Sequence, residues 1–462
     1  MNNTIGNIFR FTIWGASHAP AVGVTIEGIP EGTGIDMDRL QAFLNRRRPG
    51  QDALSTARKE SDRIEFTGGV TLTGQKAVVC DPFVTAMIRN TDTRPEDYDD
   101  LRFVPRPGHA DFAAMARFGE ERELAGGGQF SGRMTAPLCI AGGIAEQILE
   151  QYRVRISAMP LRIGGETDPE RMRAAIENAA EEGDSIGGIV ECVIEGLPAG
   201  IGEPMFDGIE NRIAQMVFGI PAVKGIEFGA GFAAADLKGS ENNDAFEAVS
   251  QANDRNMTFR VRTRTNHHGG ALGGLSSGMP VVFRAAFKPT PSIAKEQDSV
   301  DIRTGEPVRL RIRGRHDPCI VLRAVPVVEA AAAAAVYDLL LAYEAEKASR
   351  HALSRDGMEE LRAEIDTADE EIIRAFEKRM DAAAKIGQYK KEHGLPILDA
   401  AREREKLAAI GSRVRTELWS YYGELYAGIF GLSKKYQQEM MRDRAEGEAE
   451  TADQDGTDGR KK

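Results

Sequence analysis

Cysteine is scarce in this chain: Cys80, Cys139, Cys192 and Cys319 lie far apart, and no CxxC pair occurs. That excludes a disulfide framework or a zinc site, leads us to expect no metal, and fits a reducing, cytoplasmic setting. Long apolar runs are missing too. The longest candidate, the alanine run near residue 330, is short and flanked by charges, so no membrane span of about 20 residues is expected. The N-terminus, MNNTIGNIFRFTIWG, does not join a basic segment to an apolar core as a secretory leader would. Positive charge is also in deficit. A net charge of −12 argues against a nucleic-acid partner, since phosphate-backbone affinity comes from clustered Lys and Arg. The basic cluster Arg46-Arg47-Arg48 reads better as a small-anion site.

What is present falls into two styles. At 462 residues, with 42% hydrophobic and 28% charged side chains, the chain exceeds one ordinary core. Residues 1–345 are rich in glycine, with strand-like runs at 21–26, 77–79, 188–194, 280–287 and 308–312. Helical patterns fall at 38–46, 111–118, 141–151, 168–180 and 326–345. This predicts an α+β domain without the regular βαβ alternation of a doubly wound fold. A polar linker is expected at 346–357, a helical domain at 358–442, and a disordered acidic tail at 443–462.

After Met358 only one proline remains, Pro396. Leu361, Ile365, Ala368, Ile372, Ala375, Ala383 and Ile386 follow the spacing of one apolar helix face. A helix over 358–392 would be about 50 Å long. Gly394 and Pro396 end it, and shorter helices are expected at 400–410 and 412–442. So long a first helix needs more than one short partner, which predicts pairing between two chains.

Four N-terminal blocks place polar residues where glycine lets a ligand approach the backbone. They are GASHAPAVGV from Gly15, RPGHAD from Arg106, GGGQFSGRMTAP from Gly126 and GRHDPC from Gly314. A lone His in such a turn commonly makes only a turn hydrogen bond, and a lone Arg a surface ion pair. His18, His109 and Asp317 together point instead to proton chemistry near neutral pH. With RRRPG at Arg46, GDSIGGIVEC at Gly183, IPAVKGIEFG at Ile220, NHHGGALGG at Asn266 and KPTPSI at Lys288, these blocks resemble chorismate synthase across residues 1–345.

The resemblance implies a β-α-β sandwich, usually tetrameric, that binds reduced FMN, with NADPH as a candidate reductant. It implies a 1,4-elimination turning 5-enolpyruvylshikimate 3-phosphate into chorismate and phosphate. By this resemblance His18 gives a proton toward the departing phosphate, His109 stabilises the anionic reduced flavin, and Asp317 keeps flavin N5 poised. Arg47, Arg48, Arg106 and Arg133 would hold the trianionic substrate. Flavin contacts would come from Arg47, Gln129, Phe130, Ser131, Glu241, Asn242, Gly273, Arg315 and the run Lys288, Pro289, Thr290, Pro291, Ser292. Three stretches, four positions in all, depart from the family's pattern. GASHA stands for GESHG, so Ala16 and Ala19 replace Glu and Gly; Gln129 replaces an Arg; and Ala53 replaces an Arg that some relatives link to nicotinamide binding. A flavin-binding scaffold without synthase activity is a reading these departures leave open.

In the C-terminal half, Arg379 and Lys390 fall almost in line with Ile372, and isolated cations on a buried stripe are costly unless neutralised. Spacing alone fits a solvated bundle or dimerisation arm. The ordered set Arg362, Arg379, Lys390, Asp399, Arg402, Glu403, Ser433 and Gln437 is similar to the all-helical chorismate mutases. That resemblance implies an intertwined dimer rearranging chorismate to prephenate, with mutase domains paired between chains of a homo-oligomer. Arg379, Arg402 and the Arg362 of a second chain would hold the carboxylates, and Lys390 and Gln437 the ether oxygen. Asp399, Glu403 and Ser433 would orient the ring hydroxyl and the binding loop. The alternative keeps the synthase and makes the helical module a non-catalytic dimeriser or aromatic-amino-acid sensor.

Overall fold

Strand Val281–Phe287 buries every second side chain, as period-2 alternation of apolar residues requires, and sits inside a four-stranded antiparallel sheet. The computed structural model of the chain describes residues 3–48, 50, 60–92, 101–120, 125–251, 258–312, 317–352, 355–411 and 414–454. Ala53 and Arg315 lie outside the described residues. The chain divides into two units, Met1–Lys347 and Ala348–Lys462.

In the first unit that sheet has the order Val223–Phe228, Val281–Phe287, Gly188–Glu195, Arg155–Ile163. A second antiparallel sheet has the order Thr4–Ile5, Arg10–Gly15, Ala21–Glu27, Phe83–Arg89, Glu65–Gly68. The helices of this unit are α1 (Met37–Arg47), α2 (Asp111–Phe118), α3 (Thr135–Leu149), α4 (Pro169–Glu181), α5 (Ile209–Phe218), α6 (Gly239–Asn242) and α7 (Val321–Ala352). Local chemistry sets several starts. Asp36 accepts from Arg39 N at 3.0 Å to cap α1, and Asp168 accepts from Arg171 N at 3.1 Å to cap α4, with Pro169 in its first turn.

The core is a β-α-β stack. Helices α3 and α7 are buried nearly all round and share one apolar core with both sheets. They cross so closely that a Cβ added to Gly142 would lie 2.3 Å from Ala330 Cα. Side chains 330–336 are fully buried. From α7, Glu329 accepts from Ala158 N of one sheet at 2.9 Å. Asp338 accepts from Ile8 N and Phe9 N beside the other, at 2.7 and 2.9 Å.

Three features differ from expectation. α3 starts at Thr135 rather than near 141, because Pro137 falls in its first turn, where a missing N–H is harmless. α7 starts at Val321, with Pro326 inside it, and continues through 346–352, where a polar linker was expected. By length and composition Val321–Ser349 could cross a bilayer, but 94% of its most apolar window is buried in the protein, which makes it a core helix.

The second unit consists of α8 (Arg355–Glu392), α9 (Ala400–Gly411) and α10 (Trp419–Gln454). α8 packs along α10, burying Ala383. The predicted apolar face is otherwise largely open in one chain: Ile365, Ile372 and Ile386 are each at least half exposed. α10 extends through 443–454, where composition pointed to disorder; Ala and Glu in this stretch are strong helix formers.

Candidate active sites

A cavity of about 720 Å³ opens in the first unit, within the usual range for small-molecule pockets. It gathers His18, Arg47, Arg106, His109, Gln129, Phe130, Ser131, Arg133, Lys288, Thr290, Pro291, Ser292 and Asp317 from segments far apart in sequence. Arg48 and Pro289 sit next to lining residues but do not line it, and neither do Glu241, Asn242 and Gly273.

His18 rides on the turn after strand Arg10–Gly15. Gly15 makes that turn possible: its φ is +90°, and an added Cβ would lie 2.3 Å from Ala21 O. Asn90 holds the loop, donating from Nδ2 to Ala16 O at 3.1 Å and Ala19 O at 2.6 Å. Ala16 is buried.

His109 stands at the entrance to α2 beside a buried carboxylate that the motifs did not single out. Asp111 Oδ1 lies 2.6 Å from His109 Nδ1 and accepts from Arg106 Nη2 at 2.8 Å; Oδ2 accepts from Arg106 Nε at 2.7 Å. Burial alone would raise the Asp111 carboxyl, but hydrogen bonds from Arg106 and His109 hold it well below the usual carboxylate range. An ionised carboxylate only accepts, so Nδ1 carries the proton toward Asp111, while Nε2 lies 3.4 Å from Arg106 Nη2 and faces Gly127, where an added Cβ would lie 3.3 Å from it.

The floor is cationic. Arg47 and Arg133 are 3% and 4% exposed, and both bind the buried Asp62. Burial, reinforced by Arg323, pulls the Arg47 guanidinium down to about 10. Arg323, on the first turn of α7, also escaped the motifs; it donates to Asp317 Oδ2 at 2.5 Å and to Arg47 O at 3.1 Å. Lys288 Nζ donates to Gly108 O at 2.7 Å, and Arg106 Nη1 to Ser292 Oγ at 3.1 Å. Phe287, Ile320 and Val327 give the same cavity an apolar wall. Thr290 Oγ1 is buried with no hydrogen-bond partner among the described residues. Cations, an apolar wall and an unused polar atom fit a flat, phosphorylated flavin beside an anionic substrate.

In the second unit Arg379, Lys390, Ser433 and Gln437 come from the facing surfaces of α8 and α10. Arg379 Nη1 donates to Ser433 Oγ, and its guanidinium lies over Phe430, 5.7 Å from the ring centroid. Lys390 Nζ donates to Ile397 O at 2.8 Å. Gln437 is buried, with Oε1 unpartnered among the described residues. Glu403 pairs with Lys434 at 3.1 Å. Asp399 caps α9 by accepting from Arg402 N at 3.0 Å, while exposed Arg402 pairs with Glu405 at 2.5 Å. Arg362 lies 17 residues before Arg379 on the same helix, roughly 25 Å along its axis, and does not join this cluster.

A family model for chorismate synthase matches residues 9–341. The chain belongs to the chorismate synthase family. A chorismate synthase of Lancefieldella parvula is 42% identical over 390 residues, covering 76% of this chain and 99% of the relative. One from Chitinophaga pinensis is 45% identical over 342 residues, covering 73% and 96%. A crystal structure of chorismate synthase shares the fold at 22% identity and a TM-score of 0.53, covering 73% of this chain and 93% of that one. A second family model, type II chorismate mutase, matches residues 361–438. The polypeptide therefore joins a chorismate synthase domain to a type II chorismate mutase domain.

Proposed function

We propose that the synthase unit converts 5-enolpyruvylshikimate 3-phosphate to chorismate and phosphate, and that the mutase unit rearranges chorismate to prephenate. The observation that carries the first step is the meeting of His18, His109, Asp317 and the Arg47–Arg106–Arg133–Lys288 cations in one cavity. Reduced FMN, when bound, supplies electron density for loss of phosphate from a ring whose hydrogen is not acidic. Gln129, Phe130, Ser131, Thr290, Pro291 and Ser292 would hold it.

His18 gives its proton to the leaving phosphate. His109, with Nδ1–H fixed on Asp111, would stabilise the anionic reduced flavin from Nε2 when that nitrogen is protonated as well. Asp317, braced by Arg323, would keep flavin N5 poised to accept the substrate proton. Arg47, Arg106 and Arg133 clamp phosphate and carboxylates with their guanidinium forks. Arg48, Glu241, Asn242 and Gly273 would act only where a second chain or a loop movement brings them to the ligand.

A Claisen rearrangement needs no acid, base or nucleophile. Arg379 holds a carboxylate, while Lys390 and Gln437 meet the ether oxygen as its bond breaks. The open Ile365–Ile372 face and the distance of Arg362 from Arg379 support a paired helical unit in which a second chain supplies Arg362 and Arg402 turns inward. We place the enzyme in the cytoplasm as a homotetramer with mutase units paired between chains, and NADPH as a source of reducing equivalents. An anaerobic assay with chemically reduced FMN, following phosphate, chorismate and prephenate together, tests both halves. Absence of phosphate release refutes the synthase assignment; chorismate that accumulates without prephenate refutes the mutase assignment.

A further inference from the structure

Asp62 carries none of the motif signals, yet it lies directly beneath the cationic floor of the synthase cavity. Its side chain is fully buried. Oδ2 accepts from Arg47 Nη1 at 3.1 Å, and Oδ1 accepts from Arg133 Nη1 in a closer contact. Both guanidiniums line the cavity. One carboxylate thus sits between two buried cations that would otherwise repel each other. Burial would raise the Asp62 carboxyl, but Arg47 and Arg133 bring it below its ordinary value, so it stays ionised.

The backbone points the same way. Asp62 has φ +45°, in the left-handed region that disfavours residues with a Cβ, though Asp tolerates it better than most. Gln41 locks the position: its Nε2 donates to Asp62 O at 2.9 Å, and its Oε1 accepts from Ile64 N at 3.0 Å. A strained residue kept in place by its surroundings is characteristic of functional sites. The network also reaches the His18 loop, since Arg133 Nε donates to Asn90 Oδ1 at 2.9 Å and Asn90 holds Ala16 O and Ala19 O.

We propose that Asp62 is a positioning residue for the anionic substrate, setting the spacing of Arg47 and Arg133 so that both forks meet it. The proposal rests on the synthase reading of this cavity. Arginines that grip groups already anionic in the ground state contribute binding largely shared by ground and transition states. Disturbing them raises KM more than it lowers kcat. A residue needed only for folding would lower the thermal midpoint and leave the KM of folded enzyme unchanged.

The test uses the full chain with Asp62→Asn and Asp62→Glu. Asn is nearly isosteric and accepts the left-handed backbone but removes the charge. Glu keeps the charge and, being one methylene longer in a fully buried site, shifts both guanidiniums. Initial rates with chemically reduced FMN and 5-enolpyruvylshikimate 3-phosphate should show KM raised roughly tenfold or more in Asp62→Asn, with kcat falling by less. Asp62→Glu should move KM in the same direction. Inorganic phosphate, titrated calorimetrically without turnover, should bind more weakly to both variants. Unchanged KM and phosphate affinity in folded Asp62→Asn overturn the proposal, whatever happens to thermal stability; if that variant does not fold, Asp62→Glu decides by the same criterion. Wild-type protein that releases no phosphate refutes the synthase reading instead, and the phosphate titration still decides the role of Asp62.

Discussion

Replacing Gln437 by Met should separate stability from catalysis in the mutase unit. Gln437 is 8% exposed, and its Oε1 is buried without a hydrogen-bond partner among the described residues. Its Cγ would lie 3.1 Å from a Cβ added to Gly387, so the unbranched shape of the side chain is needed, and Met preserves it. An unsatisfied buried acceptor costs about 1–3 kcal/mol, and losing the rest of the amide gives back about 1 kcal/mol. The net effect is between zero and about 2 kcal/mol of added stability, or up to roughly 10 °C in the thermal midpoint of a unit this size. The lost contact to the ether oxygen should slow prephenate formation by on the order of 100-fold. Thermal unfolding followed by circular dichroism and initial rates of chorismate consumption measure the two effects on one preparation. A variant within about threefold of wild-type kcat/KM would refute the assigned role, as would activity lost only in step with folded protein.

Asp111→Asn breaks a buried ion pair with Arg106, so the synthase unit should lose about 3–5 kcal/mol of stability and phosphate release should fall with it; an unchanged urea midpoint contradicts this. Glu146 is pushed up to about 7, first by burial and then by Glu329. Its folded form keeps a proton that the unfolded chain has already lost, so the stability it contributes is full below pH 4.5 and is lost as pH rises through 7. Glu146→Gln should therefore change little at pH 5 and stabilise by about 1–2 kcal/mol at pH 8, after discounting for partial exposure. Equal effects at both pH values in urea titrations would disprove it. Arg379→Lys loses the planar fork that reaches Ser433 and stacks on Phe430; prephenate formation should drop at least about 100-fold while phosphate release is unaffected. Retained mutase activity in that variant removes Arg379 from the site.

The glycine-rich blocks made much of the synthase cavity legible, because His18, His109 and Asp317 each lie within three residues of a glycine in a block that composition alone does not produce. Asp62 and Asp111 were not legible for different reasons. Asp111 lies within RPGHAD but attracts notice only once Arg106 and His109 are seen folded onto it. Asp62 meets Arg133 across 71 residues, and no local pattern announces that. Helix α7 was foreshortened because a helix buried on all sides has no amphipathic stripe, so its alanines carry little periodic signal. In α8 the stripe was read correctly as apolar, but the contacts within one chain leave Ile365 and Ile372 open.

The continuation of α7 past the core has a consequence for how the chain can grow. Its first five turns are nucleated among buried alanines, whereas residues 344–349 are exposed and still helical. Starting a helix is the unfavourable step, and adding residues to an existing one is easy. Polypeptide joined beyond this point therefore begins on a turn that has already formed and displaces no core side chain. The synthase fold thus ends in a splice point, and foreign domains grafted there should leave phosphate release at the native rate.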